Sequence, residues 1–552
     1  MNGRVTRRDF VRGSTAAAAA LYLDGCGSSS GVVTGRVRIT GGTFGFPSPF
    51  AYIAGPGYEK MSFIYDTLLW KDGSGKLLPW LARSVRRSPD GLTYTFRLRD
   101  KVRWQDGTTL TAEDVAFTFE YFLRQPLGPL LLAQPFGVKG ARALDAATVE
   151  IHLDIPAVTF LASVAGALPI IPKHVWSGVH NPPQAQDPAL LVGSGPYRLK
   201  SYSAGDGSYL FVANDDFFLG RPFVRQIALV PVDDELVALR AGEIDAADMP
   251  SEGVGEDALA EFRSNPSYGL VQSIGNFSYP LIWNMGRGGA LADVRFRRAC
   301  AMAFDRATVI SRLLSGNGLP GNPGFLPSVA PYYTAVDQYP YDPAAANRLL
   351  DSAGYRRPSA SAPRRAPDGA ELRFTVLTGN SPYPPVLDLV IPAWRRIGVE
   401  LTPQSVDLPT LFGRTHVNAD EMALTLYPGP GGTAPIADPD CLRTFYSSKV
   451  TGRLQGAQGY VNPEFDKLAD EQLITSDIAR RKLLIAKMQQ IVAADLPALT
   501  LYYPTQFNVF RKRAFDQWYF TPGGFATGLP GVYNKQVFVT GAKTGVAIRR
   551  RM

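Results

Sequence analysis

Ser88-Pro89-Asp90-Gly91-Leu92-Thr93-Tyr94-Thr95-Phe96-Arg97-Leu98-Arg99 leads into Trp104-Gln105-Asp106-Gly107 and then Leu110-Thr111-Ala112-Glu113-Asp114-Val115. Tyr94, Phe96 and Leu98 alternate with Thr95, Arg97 and Arg99, a period of two that gives a strand one apolar and one polar face. Thr111 is a helix N-cap with Asp114 three residues on, close to the helix's positive end. Val115, Phe119 and Phe122 continue at helical spacing. Residues 148–153 read as another strand and 157–164 as a short apolar helix.

Downstream the same logic repeats. A strand at 226–231 is followed by a helix at 233–241 that Gly242 ends, and Glu243-Ile244-Asp245-Ala246 leads into the next strand. Strands alternating with helices favour mixed sheets with helices on their faces. Residues 279–284 begin a second such region, with helices at 294–304 and 307–314. Asp342-Pro343 opens another helix with an N-cap and a first-turn proline, and Gly354 closes it. Strands are expected at 372–377, 422–427 and 499–503, and helices at 387–397, from Asn462-Pro463 towards Leu473, and at 478–494. Residues 356–368, with Pro358, Pro363, Pro367 and four arginines, read as an exposed flexible loop. There is no internal repeat.

The chain has 552 residues, 45% hydrophobic and 19% charged, which is ample material for a large core and excludes a disordered chain. Its net charge of +8 is mostly an end effect: residues 1–25 carry +2 and Arg549, Arg550 and Arg551 carry +3. The body has no concentrated basic face, so no nucleic-acid partner is expected.

Thr6-Arg7-Arg8-Asp9-Phe10-Val11 precedes an alanine-rich stretch whose uninterrupted apolar run, 16–23, is far shorter than the ~20 residues that span a bilayer. Arg7 and Arg8, with Phe10 two places on, resemble a twin-arginine export signal. Leu23-Asp24-Gly25-Cys26 resembles a lipobox with Cys26 as the lipidated N-terminus, although Asp24 stands where a small uncharged residue is usual. The expected organisation is a signal peptide at 1–26 and a flexible tether at 27–36. An acylated Cys26 would anchor the chain to a membrane without spanning it.

Compact catalytic signatures are missing. His152, His174, His180 and His416 have no metal-ligand spacing, and no C-x-x-C pair occurs. Gly316-Asn317-Gly318-Leu319-Pro320-Gly321 matches G-x-G-x-x-G but follows a helix, whereas a dinucleotide fingerprint follows a strand. Neither a P-loop nor a G-x-S-x-G elbow is present. A non-enzyme without cofactor or metal is expected, with Cys300 and Cys441 as unpaired structural thiols.

The blocks already quoted, preceded by Tyr65-Asp66-Thr67-Leu68-Leu69 and Leu78-Pro79-Trp80-Leu81-Ala82, resemble the extracytoplasmic solute-binding proteins of peptide-type ABC importers, bacterial solute-binding protein family 5. The resemblance runs on through Gly193-Ser194-Gly195-Pro196-Tyr197, Ala241-Gly242-Glu243-Ile244-Asp245, Val294-Arg295-Phe296-Arg297-Arg298-Ala299 and Tyr341-Asp342-Pro343. It implies an α/β, two-lobed periplasmic-binding-protein fold (type II, cluster C) with an extra subdomain inserted in the first lobe. Lobe I would take 37–78, 192–280 and 509–552, the inserted subdomain 79–191, and lobe II 281–508.

The resemblance further implies a monomer outside the cytoplasm that closes over a peptide or other small solute and delivers it to a permease and ATPase complex. Matching positions nominate Tyr279 and Trp283 at one lobe crossing, Tyr427 after a second-lobe strand, Tyr503 at the return crossing, and Phe46 and Tyr58 in the N-terminal region as ligand-lining aromatics. Peptide-binding relatives place an aspartate soon after the Tyr427 position to pair with the ligand's α-amino group. Here Pro428-Gly429-Pro430-Gly431-Gly432-Thr433 follows, without a carboxylate. Either Asp438 takes that role or the ligand is not a free-amine peptide; sugars, opines, metal chelates and lipidic peptides stay open. A scaffold or sensor lipoprotein of the same fold, or a cell-envelope peptide hydrolase, are the alternative readings.

Overall fold

Arg36–Thr40 runs parallel to both Gln226–Val230 and Ala246–Pro250, and around these three strands the first large sheet is built. Its order is Tyr268–Ile274, Tyr502–Arg511, Ala246–Pro250, Arg36–Thr40, Gln226–Val230, Ser208–Ala213 and Tyr197–Ser203, with Gly318–Pro320 added along the start of Tyr502–Arg511. The computed structural model describes residues 35–53, 56–125, 135–250, 254–274, 277–379, 384–416, 420–424, 427–428, 438–450, 458–522 and 531–539. Arg7, Arg8 and Cys26 lie outside them. The expected crossover is present: Asp234 caps Glu235–Ala241 by accepting the Val237 N–H at 2.9 Å, and Gly242 ends the helix at φ 80°, where a side chain would be strained.

A four-stranded antiparallel sheet, in the order Ala82–Arg87, Thr93–Leu98, Thr148–Leu153 and Val138–Asp145, carries the helix Ala112–Arg124. Thr111 and Asp114 form the anticipated cap, with the Thr111 N–H donating to the Asp114 carboxylate at 2.9 Å. This insertion shares its core with the first sheet. The ring of Phe50 packs 4.8 Å from those of Phe122 and Trp176. The helix expected at 157–164 is instead a single wide turn, Leu161–Ala165. Val158 ahead of it is held elsewhere, its N–H donating to the Leu473 carbonyl at 2.9 Å.

The second large sheet has the order Glu400–Ser405, Arg373–Thr378, Met422–Leu424, Pro280–Trp283 and Ala498–Thr500. A separate core around Trp283, Phe296, Leu350, Val390 and Trp394 lies against it. Asp293, Asp342, Asn462 and Asp477 cap their helices through side-chain acceptors. The long helix Ile478–Asp495 ends at Leu496 with φ 47°, unfavourable for leucine. Arg297, buried, offsets this by donating to the Asp495 and Leu496 carbonyls at 2.7 and 3.1 Å, a cation at the negative end of the helix.

Three further expectations need correction. The strand expected at 499–503 is two strands in different sheets, because the Leu501 N–H turns to the Tyr279 carbonyl (2.9 Å) and the chain changes lobes there. The strand expected at 422–427 likewise divides: Met422–Leu424 lies in the second sheet, while Tyr427–Pro428 pairs with Phe277–Ser278. Residues 356–368 are not a loose loop. Arg364 is buried there, and its guanidinium donates to the Ile397 carbonyl (3.0 Å) and Asn347 (2.8 Å).

Residues of several of the family-like blocks converge on one buried carboxylate. Asp66 accepts from Trp80 Nε1 (2.7 Å), Ser194 Oγ (2.8 Å) and Lys535 Nζ (2.7 Å). Gly193 and Gly195 are required because their backbone passes so close to Ile64 that an added Cβ would meet its carbonyl oxygen at 1.9 and 2.5 Å. Gln105 closes the knot by donating to the Tyr197 carbonyl at 2.7 Å. These residues are tied to one another inside the first lobe. Cys300 and Cys441 are both free thiols. Among the described residues, no helix is long and apolar enough to cross a membrane.

Candidate functional site

The two large sheets are joined where 274–279 leaves the first lobe and Leu501 returns to it. Tyr279 sits at this junction, its ring stacked on Tyr502 with centroids 4.5 Å apart and planes 15° from parallel, and its N–H donates to the Tyr502 carbonyl. Two antiparallel crossings tied to each other can bend together. The lobes also touch away from the junction: Val158 meets Leu473, the Arg443 guanidinium lies 4.6 Å over the Phe136 ring, and Asn317 Nδ2 donates to Glu256 at 3.3 Å.

Most of the nominated aromatics are enclosed by other parts of the protein. Trp283 is fully buried in the second-lobe core, stacked on Trp394 at 5.3 Å. Tyr503 is buried with its hydroxyl donating to the Phe325 carbonyl at 2.7 Å. Tyr58 is buried and donates to the Ala167 carbonyl at 2.6 Å, and Phe46 packs against Tyr202 at 5.9 Å between ring centroids. Apolar positions on strands that are covered on both faces look the same in sequence whether they line a cleft or a core. Tyr279 alone of these stands at the crossing, and the backbone of Tyr427 pairs there with Ser278.

Asp438 is already occupied. Arg481 grips it with both nitrogens of its fork, at 2.7 and 3.0 Å, and the neighbouring Asp440 is gripped in the same way by Arg443. Asp438, nominated as counter-charge for a ligand ammonium, is thus paired within the second lobe. Asp438 also reaches the first lobe electrostatically. Burial lowers the Lys71 ammonium to about 8 from 10.5, and Asp438 opposes that shift. The folded protein thus carries the penalty of a buried ammonium at every pH below about 8, and loses it as pH rises from about 8 to 10.5. Lys71→Met is expected to resist urea better than the parent at pH 7, with the advantage vanishing towards pH 10. A difference that stays constant across that interval would reject the assignment.

Carboxylates gather instead in the first lobe, at the end of its sheet from which both crossings depart. Glu59 and Lys60, buried on the helix Pro56–Ile64, form an ion pair at 3.0 Å. Glu235, at the start of its helix, accepts the Asp248 N–H at 3.1 Å. Asp248 stands opposite Asn508 across the ladder of Ala246–Pro250 and Tyr502–Arg511. The ring of Tyr533, from the C-terminal segment, lies 4.8 Å from the Lys60 ammonium. Burial, then Glu59 and Glu235, push the Asp248 carboxyl well above its ordinary range, with Lys60 pulling the other way. Sequence reasoning missed this group, although the adjacent charges Glu59-Lys60 beside Met61, Phe63 and Ile64 were a signal. Among the described residues, no three His, Cys, Asp or Glu side chains are disposed to hold a metal ion.

Residues 76–452 match the family described as bacterial extracellular solute-binding proteins, family 5 Middle. The chain belongs to that family. It is 28% identical over 457 residues to protein XP55 of Streptomyces lividans, covering 81% of this chain and 80% of XP55. It is 25% identical over 520 residues to the oligopeptide-binding protein AppA of Bacillus subtilis, covering 88% and 91%. The fold is that of AppA solved with a nonapeptide (TM-score 0.74, 20% identity, 91% of this chain and 97% of AppA). It is also that of the Helicobacter pylori periplasmic binding protein DppA in complex with the peptide STSA (TM-score 0.74, 23% identity, 92% and 98%). This family member is thus a two-lobed solute-binding protein.

Proposed function

We propose that this solute-binding protein serves an ABC importer, capturing a peptide or peptide-like molecule between its lobes and delivering it to a membrane permease with its ATPase. The observation that carries the reading is the pair of lobes with separate cores, tied at Tyr279 and Leu501 and meeting again at Val158 and Leu473. A solute touching both lobes favours the closed form by its difference in affinity for the closed and open states. The peptide-binding relatives support the ligand class. Proposed lobe limits are 37–78, 192–280 and 509–552 for the first, 79–191 for its insertion and 281–508 for the second. The chain is taken to be a monomer without catalytic activity, exported through Arg7 and Arg8 and anchored outside the cytoplasm at Cys26.

The test is small-angle scattering of the purified protein with and without a pentapeptide pool whose binding is verified by calorimetry. Bound peptide is expected to reduce the radius of gyration. An unchanged profile with verified binding would reject closure, and thermal stabilisation by sugars or metal chelates but never by peptides would reject the ligand class.

A further inference from the structure

We propose that the first lobe carries a cation-recognition site, formed by Glu59, Glu235 and Asp248 with Asn508 and Tyr533, that takes the ammonium or guanidinium group of the solute. This rests on the solute-binding reading and specifies which chemistry the cleft selects.

Three carboxylates share this place with one ammonium, and Lys60 is committed to Glu59 at 3.0 Å. The lysine also lies 4.3 Å from the Phe44 ring centroid and 4.8 Å from that of Tyr533, so aromatic faces hold it on the side of its ion pair. Glu235 and Asp248 are half-buried, whereas Glu59 and Lys60 are enclosed, so the two carboxyls without an ion pair are the more accessible ones. Uncompensated carboxylates withdrawn from water are costly unless a cation or hydrogen-bond donors meet them.

A second observation points to a guest. Asn508 is fully buried, yet neither its amide nitrogen nor its oxygen has a hydrogen-bond partner among the described residues. The Tyr533 hydroxyl, on a side chain 3% exposed, has none either, and nor does one Asp248 oxygen. Asn508 pairs with Asp248 in the ladder, which puts both side chains on one face. The Tyr533 ring is tied to the cluster through Lys60, which lies 4.8 Å from it and pairs with Glu59, and its hydroxyl is pushed up by burial and then by Asp248, Glu235 and Glu59. Buried polar atoms of native proteins are almost always paired, and several left unpaired around one spot mark a place for a hydrogen-bonding group. An ammonium or guanidinium supplies both the missing donors and the missing charge.

The position is right for a solute. Asp248 lies two residues before the end of Ala246–Pro250, where that strand faces Gln506 of the returning chain, and carboxyl ends of parallel strands are where open α/β sheets bind ligands. The second lobe offers no equivalent at Asp438, which Arg481 neutralises. The cation is therefore read by the lobe opposite to the one that peptide-binding relatives were expected to use.

The test is calorimetric titration of the full mature chain with three probes: a free-amine pentapeptide pool without Lys or Arg, an N-acetylated pool containing Lys and Arg, and an N-acetylated pool without them. Cation-bearing probes are expected to bind at least tenfold more tightly than the neutral pool; the first two arms separate an α-amino group from a basic side chain. Glu235→Gln and Asp248→Asn should each remove most of that preference, so that the cation-bearing and neutral pools bind the variant within about twofold of each other; circular dichroism checks that they fold. Equal binding of all three pools overturns the cation site but leaves solute binding standing. If no pool binds, the peptide reading falls with it. Variants that are more stable than the parent and keep the preference would make the cluster structural and overturn the proposal.

Discussion

Replacing Lys535 by methionine is expected to destabilise the protein by about 3–5 kcal/mol, the scale seen when one partner of a buried ion pair is removed. Lys535 and Asp66 are both fully buried, with 2.7 Å between ammonium and carboxylate. The ammonium also donates to the Ser62 and Tyr65 carbonyls at 2.9 and 2.8 Å and lies 4.3 Å over the Trp70 ring. Burial lowers the Lys535 pKa, and Asp66 counters it. Methionine fills much of the same volume but leaves the Asp66 charge, two carbonyls and one ring face without their cation. Adding Asp66→Asn should restore part of the loss, because a neutral amide keeps an acceptor for Trp80 without an unmatched charge. Urea unfolding followed by tryptophan fluorescence reads this directly, since Trp70 and Trp80 border the pair. A loss under about 1 kcal/mol for Lys535→Met would show that the C-terminal segment is not held by this contact.

Trp283→Ala is expected to cost about 3–5 kcal/mol and to leave solute affinity within twofold. The indole is fully buried between Trp394, stacked at 5.3 Å with planes 8° apart, and the edge of Phe296 at 6.0 Å. Deleting it opens a cavity between rigid aromatic neighbours that cannot collapse into it. A ligand-lining tryptophan would give the opposite pattern, with affinity lost and stability spared. Calorimetry of a bound peptide alongside the unfolding midpoint separates the two.

The motif stretches named the family correctly without marking the cleft. Tyr65-Asp66, Trp80, Gln105 and Gly193-Ser194-Gly195 are recognisable because each must meet the others at atomic contact around one buried charge. Such residues identify a fold rather than a ligand. The aromatics carried over by position fared differently. Trp283, Tyr503, Tyr58 and Phe46 were reasonable cleft linings by type, but each is enclosed by neighbours from distant parts of the chain.

The sequence by itself determined the elements and their limits wherever the cause was local. Thr111 with Asp114, Asp234 with Gly242, and Asp342 with Pro343 lie within a few residues of the backbone groups they satisfy, so their effect is written in adjacent letters. Only the tertiary structure decided that Leu501 divides one apolar run between two lobes, that Arg481 closes off Asp438, and that Glu59, Glu235, Asp248, Asn508 and Tyr533 share one place. The physical reason is that charge, burial and hydrogen bonding act through space. Strands brought together from opposite ends of the chain set those distances, and no local pattern encodes them.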